Sequence, residues 1–125
     1  MPSPILIVDD AETILFAMRD YFTILGYPVD CARELEEAKA LLAQTPSAVV
    51  IADLRLTGSH GIEGLELVEY IRQRHPSTRV IMLTAHGSPE TEMEACRRGA
   101  DAFLHKWMSL SEVAQVVSRL LGSGA

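Results

Sequence analysis

Two cysteines, Cys31 and Cys96, are all that the 125 residues contain, and they form no CxxC or other metal-type spacing. A disulfide scaffold and a zinc site are therefore excluded, and reduced thiols in a cytoplasmic protein are the simple expectation. Basic residues are also scarce: 11 lysines and arginines stand against 17 acidic residues, for a formal charge of −6. Nucleic-acid binding needs a basic face for phosphate contacts, so none is expected of this chain. No apolar run approaches the ~20 residues of a membrane span. Met1–Pro4 has neither a basic n-region nor a cleavage site, so no signal peptide is expected. Repeats, low-complexity segments and internal linkers are lacking too. The length suits one domain, over residues 1–125, with a core large enough to fold without staples.

What is present alternates between two periods. Ile5–Val8, Ala48–Ala52, Val80–Leu83 and Ala102–Leu104 are short, continuously apolar runs. Such runs suit strands of a parallel sheet that is covered on both faces. Val29–Cys31, after Gly26-Tyr27-Pro28, reads as a weaker edge strand. Between them lie helical patterns: Ile14, Met18, Tyr21, Phe22 and Leu25 before Gly26; Leu35, Ala38, Leu41 and Leu42 before Pro46; Leu65, Leu67, Val68 and Ile71 before Pro76. Ser88-Pro89 reads as an N-cap with proline at the first helical position, opening a helix that carries Met93 and Cys96 and stops at Gly99. Cys96 is expected to pack inward. Leu110, Val113, Val116, Val117, Leu120 and Leu121 form the face of a last helix. Five strands alternating with five helices predict a doubly wound α/β fold, whose ligand site lies at the carboxyl ends of the strands.

Those ends carry Asp9-Asp10, Asp53, Thr84 and Lys106. Each has a plain structural explanation by itself. Asp9 with Glu12 could cap a helix, Asp53 could be a turn residue, Thr84 a β-branched strand residue and Lys106 a solvated surface lysine. Four strand ends with complementary polar groups exceed what capping requires. Three neighbouring carboxylates repel unless a cation stands among them or they take up protons. Short oxygen ligands with water suit Mg²⁺. Carboxylates, Mg²⁺, lysine and threonine are together the parts needed for phosphoryl transfer, with a carboxylate able to act as nucleophile.

The segments Ile5-Leu6-Ile7-Val8-Asp9-Asp10, Ala52-Asp53-Leu54-Arg55-Leu56, Leu83-Thr84-Ala85 and Phe103-Leu104-His105-Lys106 resemble the receiver domain of two-component response regulators. The resemblance covers essentially the whole chain. It implies a flavodoxin-like five-stranded parallel sheet of order 2-1-3-4-5. It also implies a phosphoacceptor signalling domain, not an enzyme in its own right, that assists its own phosphotransfer and dephosphorylation. Carried over position by position, Asp53 is the phosphoacceptor and Asp10 a direct Mg²⁺ ligand. Asp9 holds the ion partly through water, and the backbone carbonyl of Arg55 completes the protein ligands. Thr84 is the hydroxyl that moves toward the phosphoryl group, Lys106 its ammonium partner and Phe103 the switch aromatic. Arg55 and His86 fall at positions that tune dephosphorylation. The implied partners are a sensor histidine kinase or histidine phosphotransfer protein, and an output domain or target protein on the surface of the fourth helix, fifth strand and fifth helix. A homodimer is a further possibility that the resemblance raises. The alternative reading is a phosphorylation-independent pseudo-receiver that acts as a protein-binding module.

The chain departs from the family pattern twice. Thr57 stands where proline is usual, and about three extra residues precede Gly64-Leu65-Glu66, within Ser59–Glu63. Trp107 replaces the usual cis proline after Lys106; a cis bond there would cost about 3–4 kcal/mol, so a trans bond is expected. Trp107 then either stands out as an anchor near the site or folds back onto Met108 or Leu110. Other aspartyl-phosphate and phosphate-binding folds fit less well. A haloacid-dehalogenase-type site needs Asp-x-Asp, and position 11 is Ala. A flavodoxin phosphate loop would be repelled by Asp9 and Asp10. His60, His75, His86 and His105 show no ligand spacing.

Overall fold

The computed structural model describes residues 3–54, 63–85 and 87–122. Its elements alternate without exception: β1 Ile5–Val8, α1 Glu12–Ile24, β2 Val29–Ala32, α2 Leu35–Gln44, β3 Val49–Asp53, α3 Glu63–Arg74, β4 Arg79–Thr84, α4 Pro89–Arg98, β5 Ala102–His105 and α5 Leu110–Leu120. All strand pairs are parallel, and the sheet order is β2-β1-β3-β4-β5. The doubly wound expectation and its strand order are both borne out.

Side-chain alternation explains why the central strands read as unbroken apolar runs. Successive residues of a strand point to opposite faces, so a sheet buried on both sides needs apolar residues at every position. Leu6, Val8, Val50, Ala52, Val80 and Met82 pack with Ala38, Leu42, Leu67, Val68, Ile71 and Ala95 of α2, α3 and α4. Ile5, Ile7, Val49, Ile51, Ile81 and Leu83 pack on the other side with Leu15, Met18, Phe22, Val113, Val116 and Val117 of α1 and α5. Each fully buried side chain of this size contributes about 1.5–3 kcal/mol. β2, at the sheet edge, has only Ala32 fully buried, which is why its sequence signal is weaker.

The helix ends follow their sequence cues. The Ser88 side chain accepts from the Thr91 N–H, Pro89 opens α4, and Gly99 closes it in the left-handed conformation. Ser109 and Glu112 form a reciprocal capping box on α5, which the sequence reading passed over.

One expectation fails. Cys96 is exposed, not packed. Ala95 is the buried residue of α4, and Met93 on the outer side is 72% exposed. The remaining positions of this helix are mostly charged. Arg98 joins Glu94 at 2.6 Å and reaches Glu69 of α3 at 2.9 Å, so ion pairs as well as apolar burial hold α4 to its neighbour.

Phe22 anchors the α1 side. It is fully buried and stands edge-on to Tyr21 and Tyr27, with ring centroids at 5.6 and 5.9 Å. Phe22→Ala is expected to lower unfolding stability by about 3–5 kcal/mol, read as a lower urea midpoint at an unchanged slope.

Candidate functional site

The sheet brings the sequence-predicted residues to one rim. Asp9 follows β1, with its N–H held by the Ala32 carbonyl at 3.0 Å. Its Oδ1 accepts the Ala11 N–H at 2.9 Å. Asp9 therefore closes a tight local turn and makes no capping pair with Glu12, whose carboxylate instead meets Arg33 at 2.9 Å. Asp53 is the last residue of β3 and Thr84 the last of β4, and both are buried. Lys106 follows β5, and its N–H donates to the Thr84 carbonyl at 3.0 Å.

From there the Lys106 side chain reaches inward. Its Nζ lies 2.8 Å from Asp53 Oδ2 and 3.1 Å from Asp9 Oδ2. Side-chain exposure is 14% for the lysine, 8% for Asp53 and 3% for Asp9, so these charges meet largely out of water. Burial pulls the ammonium pKa down. The hydrogen bonds and charges of Asp53 and Asp9 outweigh it and hold Lys106 above the ordinary lysine range.

Asp10 is exposed at the mouth. One carboxylate oxygen each from Asp9, Asp10 and Asp53 lie within 4.8 Å of one another, forming the one such acidic cluster among the described residues. Hard oxygen donors from two or three carboxylates, with one side open to water, fit Mg²⁺. The same donor set would suit neither zinc nor copper, which favour nitrogen and sulfur.

Gly64 shapes the floor of the site, and only the close packing reveals it. A β-carbon there would stand 2.7 Å from the Asp53 carbonyl oxygen and 2.7 Å from the Leu54 Cα. Any side chain would drive α3 away from the end of β3. The sequence offered Gly64 as part of a family motif but gave no sign of this approach.

Of the other sequence-predicted residues, Phe103 is half-buried on β5 and packs against the α2–α3–α4 side of the core. Arg55, His86 and the extra segment within Ser59–Glu63, apart from the backbone of Glu63 at the start of α3, lie outside the described residues. No cis peptide occurs among the described residues, so the Lys106–Trp107 bond is trans, as expected. Trp107 is 71% exposed and does not fold back to cover the core.

Lys106→Met leaves Asp9 and Asp53 facing each other without their cation. In metal-free buffer it is expected to cost about 3 kcal/mol at neutral pH, within the range for breaking a buried pair. The folded-state pKa of Lys106 is raised. Its stabilisation is thus complete below the unfolded lysine pKa of about 10.4 and is lost as pH rises through the folded value. Urea titrations from neutral to strongly alkaline pH should show the gap between wild type and variant closing only at the alkaline end.

Comparison with known proteins identifies the family. The family model for the response regulator receiver domain matches residues 5–118. The response regulator protein PilR of Pseudomonas aeruginosa is 38% identical over 116 residues, covering 93% of this chain and 25% of that protein. The nitrogen assimilation regulatory protein NtrX of Azorhizobium caulinodans is 33% identical over 121 residues, covering 97% of this chain and 26% of its own. The chain thus spans about a quarter of these two relatives. Among solved structures, the receiver domain of NtrX from Brucella abortus superposes with a TM-score of 0.86 at 31% identity, covering 94% of this chain and 98% of that one. A CheY-like receiver domain protein from Methanospirillum hungatei gives 0.90 at 26% identity, covering 98% and 96%. The chain belongs to the receiver domain family of two-component response regulators, a family of signalling domains.

Proposed function

We propose that Asp53 accepts a phosphoryl group from a histidine kinase or histidine phosphotransfer protein, and that residues 1–125 act as one receiver unit. The observation that carries this reading is the bridge from Lys106 Nζ to Asp53 at 2.8 Å and Asp9 at 3.1 Å, beside a third carboxylate. In the transfer step an Asp53 carboxylate oxygen attacks phosphorus and a P–O bond forms. The P–N bond of the donor phosphohistidine breaks, and its electron pair stays with the imidazole nitrogen. Mg²⁺, held by Asp9, Asp10, Asp53 and the Arg55 carbonyl, would supply positive charge against the transferring phosphoryl oxygens. Lys106 Nζ, already at the acceptor oxygen, turns from the carboxylate to the phosphoryl oxygens as a point charge. The Thr84 hydroxyl donates to the same group.

Thr84 and Phe103 then carry the change outward. β5, α4 and α5 form the face that meets an output domain or target protein, with Met93 and Trp107 as its exposed apolar contributions. No helix among the described residues is long and apolar enough to cross a membrane, and we place the reaction in the cytoplasm with its kinase partner. The phosphorylation-independent reading draws no support from the rim. Asp9, Asp10, Asp53, Thr84 and Lys106 are all present in this chain.

Incubation with acetyl phosphate or phosphoramidate tests the acceptor. One phosphoryl group per chain is expected with Mg²⁺ and essentially none with chelator. Stoichiometric uptake by Asp53→Asn would show that the acceptor lies elsewhere.

Arg55 lies two residues after the acceptor, where its guanidinium can pair with phosphoryl oxygens and hinder water. Arg55→Asn is therefore expected to speed loss of phosphate several-fold, measured as the decay of labelled protein after donor removal. An unchanged or slower decay contradicts that role.

A further inference from the structure

The start of α3 stands against the exit of β3 with no room to spare. A β-carbon built at Gly64 would lie 2.7 Å from the Asp53 carbonyl oxygen, 2.7 Å from the Leu54 Cα and 2.7 Å from the Leu54 carbonyl oxygen. These distances fall well inside ordinary van der Waals contact, about 3.5–4.0 Å between carbons. All three atoms belong to the backbone. A flexible side chain could swing aside from an added methyl, but a peptide group cannot. The glycines in the left-handed conformation among the described residues are Gly26, Gly99 and Gly122, so what Gly64 supplies is space and not an unusual φ. The approach is also bonded: the Gly64 N–H donates to the Leu54 carbonyl at 3.1 Å.

The contact falls on the backbone of the acidic rim itself. Asp53 ends β3, and its carboxylate receives the Lys106 ammonium at 2.8 Å. One of its oxygens lies within 4.8 Å of oxygens from Asp9 and Asp10. Leu54, next along the chain, donates its N–H to the Leu83 carbonyl at 3.0 Å and accepts that of Gly64, so both β4 and α3 hold it. α3 in turn is anchored by Leu67, Val68 and Ile71, all fully buried. A methyl at position 64 must part α3 from β3. With the helix held by its core side chains, the displacement falls on Asp53 and Leu54.

We propose that Gly64 is a positioning residue for the cation site. By admitting α3 to direct contact with the Asp53–Leu54 backbone, it fixes the Asp53 carboxylate at the spacing from Asp9 and Asp10 that a divalent ion requires. The proposal rests on the Mg²⁺ reading of the rim. Gly64 contributes no ligand atom and acts through the backbone of Asp53. Mg²⁺ demands near-ideal octahedral geometry, so it is sensitive to a displaced carboxylate. Altering a group that orients a metal ligand from behind changes affinity by roughly ten- to a hundred-fold. Linkage makes the coupling reciprocal: if the contact at Gly64 favours the ion, the ion must favour the contact.

The experiment titrates wild type, Gly64→Ala and Gly26→Ala with Mg²⁺ and follows the amide signals of residues 9–11 and 53–54 by NMR. Gly26 is the control for lost stability. Its φ of +100° disfavours alanine, but nothing lies within 4 Å of a β-carbon there. It sits between α1 and β2, at the amino end of the sheet and away from the rim. Gly64→Ala is expected to raise the Mg²⁺ dissociation constant by roughly ten-fold or more, and Gly26→Ala to leave it unchanged. A second measurement needs wild type alone and so holds even if Gly64→Ala does not fold. Saturating Mg²⁺ should slow hydrogen exchange of the Gly64 N–H more than that of the Gly99 N–H, whose partners are the Ala95 and Cys96 carbonyls of α4.

Wild-type Mg²⁺ affinity in Gly64→Ala overturns the proposal and leaves the cation reading standing. An equal loss of affinity in Gly26→Ala overturns it too, because the effect would then be one of stability. So does exchange at Gly64 that Mg²⁺ slows no more than exchange at Gly99. A wild type that binds no Mg²⁺ contradicts the cation reading itself, and the role of Gly64 falls with it.

Discussion

The Lys106 ammonium between Asp53 and Asp9 is the interaction on which the working end of this molecule depends. Two carboxylates about 5 Å apart repel by roughly 3–4 kcal/mol at an effective dielectric of 20. Asp9, Asp10 and Asp53 bring three such groups within 4.8 Å, two of them buried. The fold tolerates this only with a resident cation. Lys106 supplies it from β5, two strands away from β3, and across the sheet also from Asp9 of the β1 end. The same bond that neutralises the acid rim therefore ties β5 to the centre of the sheet. The charge on Asp53 thus bears directly on how β5 is held.

That constraint works because neighbouring parts are fixed. The Lys106 N–H is held by the Thr84 carbonyl, so the lysine and the threonine move from a common backbone contact. The Leu54 N–H is held by the Leu83 carbonyl, which locks the exit of β3 to β4. Gly64 brings α3 against the same exit. At the opposite end of the sheet, Arg72 donates to the Pro76 carbonyl at 3.1 Å and to the Thr78 carbonyl, and pairs with Asp101, whose Oδ2 accepts the Val80 N–H at 2.8 Å. The amino ends of β4 and β5 are thereby pinned to each other and to the end of α3.

The legible part of the molecule is the part set by local alternation. The apolar runs at Ile5–Val8 and Val80–Leu83, and the stops at Gly26 and Gly99, carry their structure in a few consecutive residues. Asp53 and Lys106 lie 53 residues apart, yet their meeting was legible, because the parallel topology forces strand ends together. Cys96 was misread because Met93 and Cys96 looked like an inward stripe, whereas α4 approaches the sheet through the small Ala95 and fastens to α3 by charge. The Arg72–Asp101 cluster and the closeness of Gly64 to the end of β3 left no sequence trace. Such features depend on distances between segments, and no spacing along the chain encodes them.

Side-chain caps divide the helices: α1 and α2 begin without one, whereas α4 and α5 have one. α4 and α5 begin with serine caps, Ser88 and Ser109, and α5 has the full capping box. α1 begins immediately after the acid pair, and its N-cap is Ala11, with no side-chain cap at all. Alanine at that position costs about 1 kcal/mol relative to serine or aspartate. Asp10, one residue earlier, could have been placed to cap, but among the described residues no hydrogen bond or ion pair engages it. Its carboxylate stays open to the rim instead. Asp9 takes a single amide from the turn and gives its other oxygen to Lys106. The positive end of the α1 dipole is left facing the acid rim, which eases the crowding of negative charge there. The start of α1 shares its lack of a side-chain cap with α2, but it lies beside an exposed carboxylate, at the place where a cation and a phosphoryl group would have to be met.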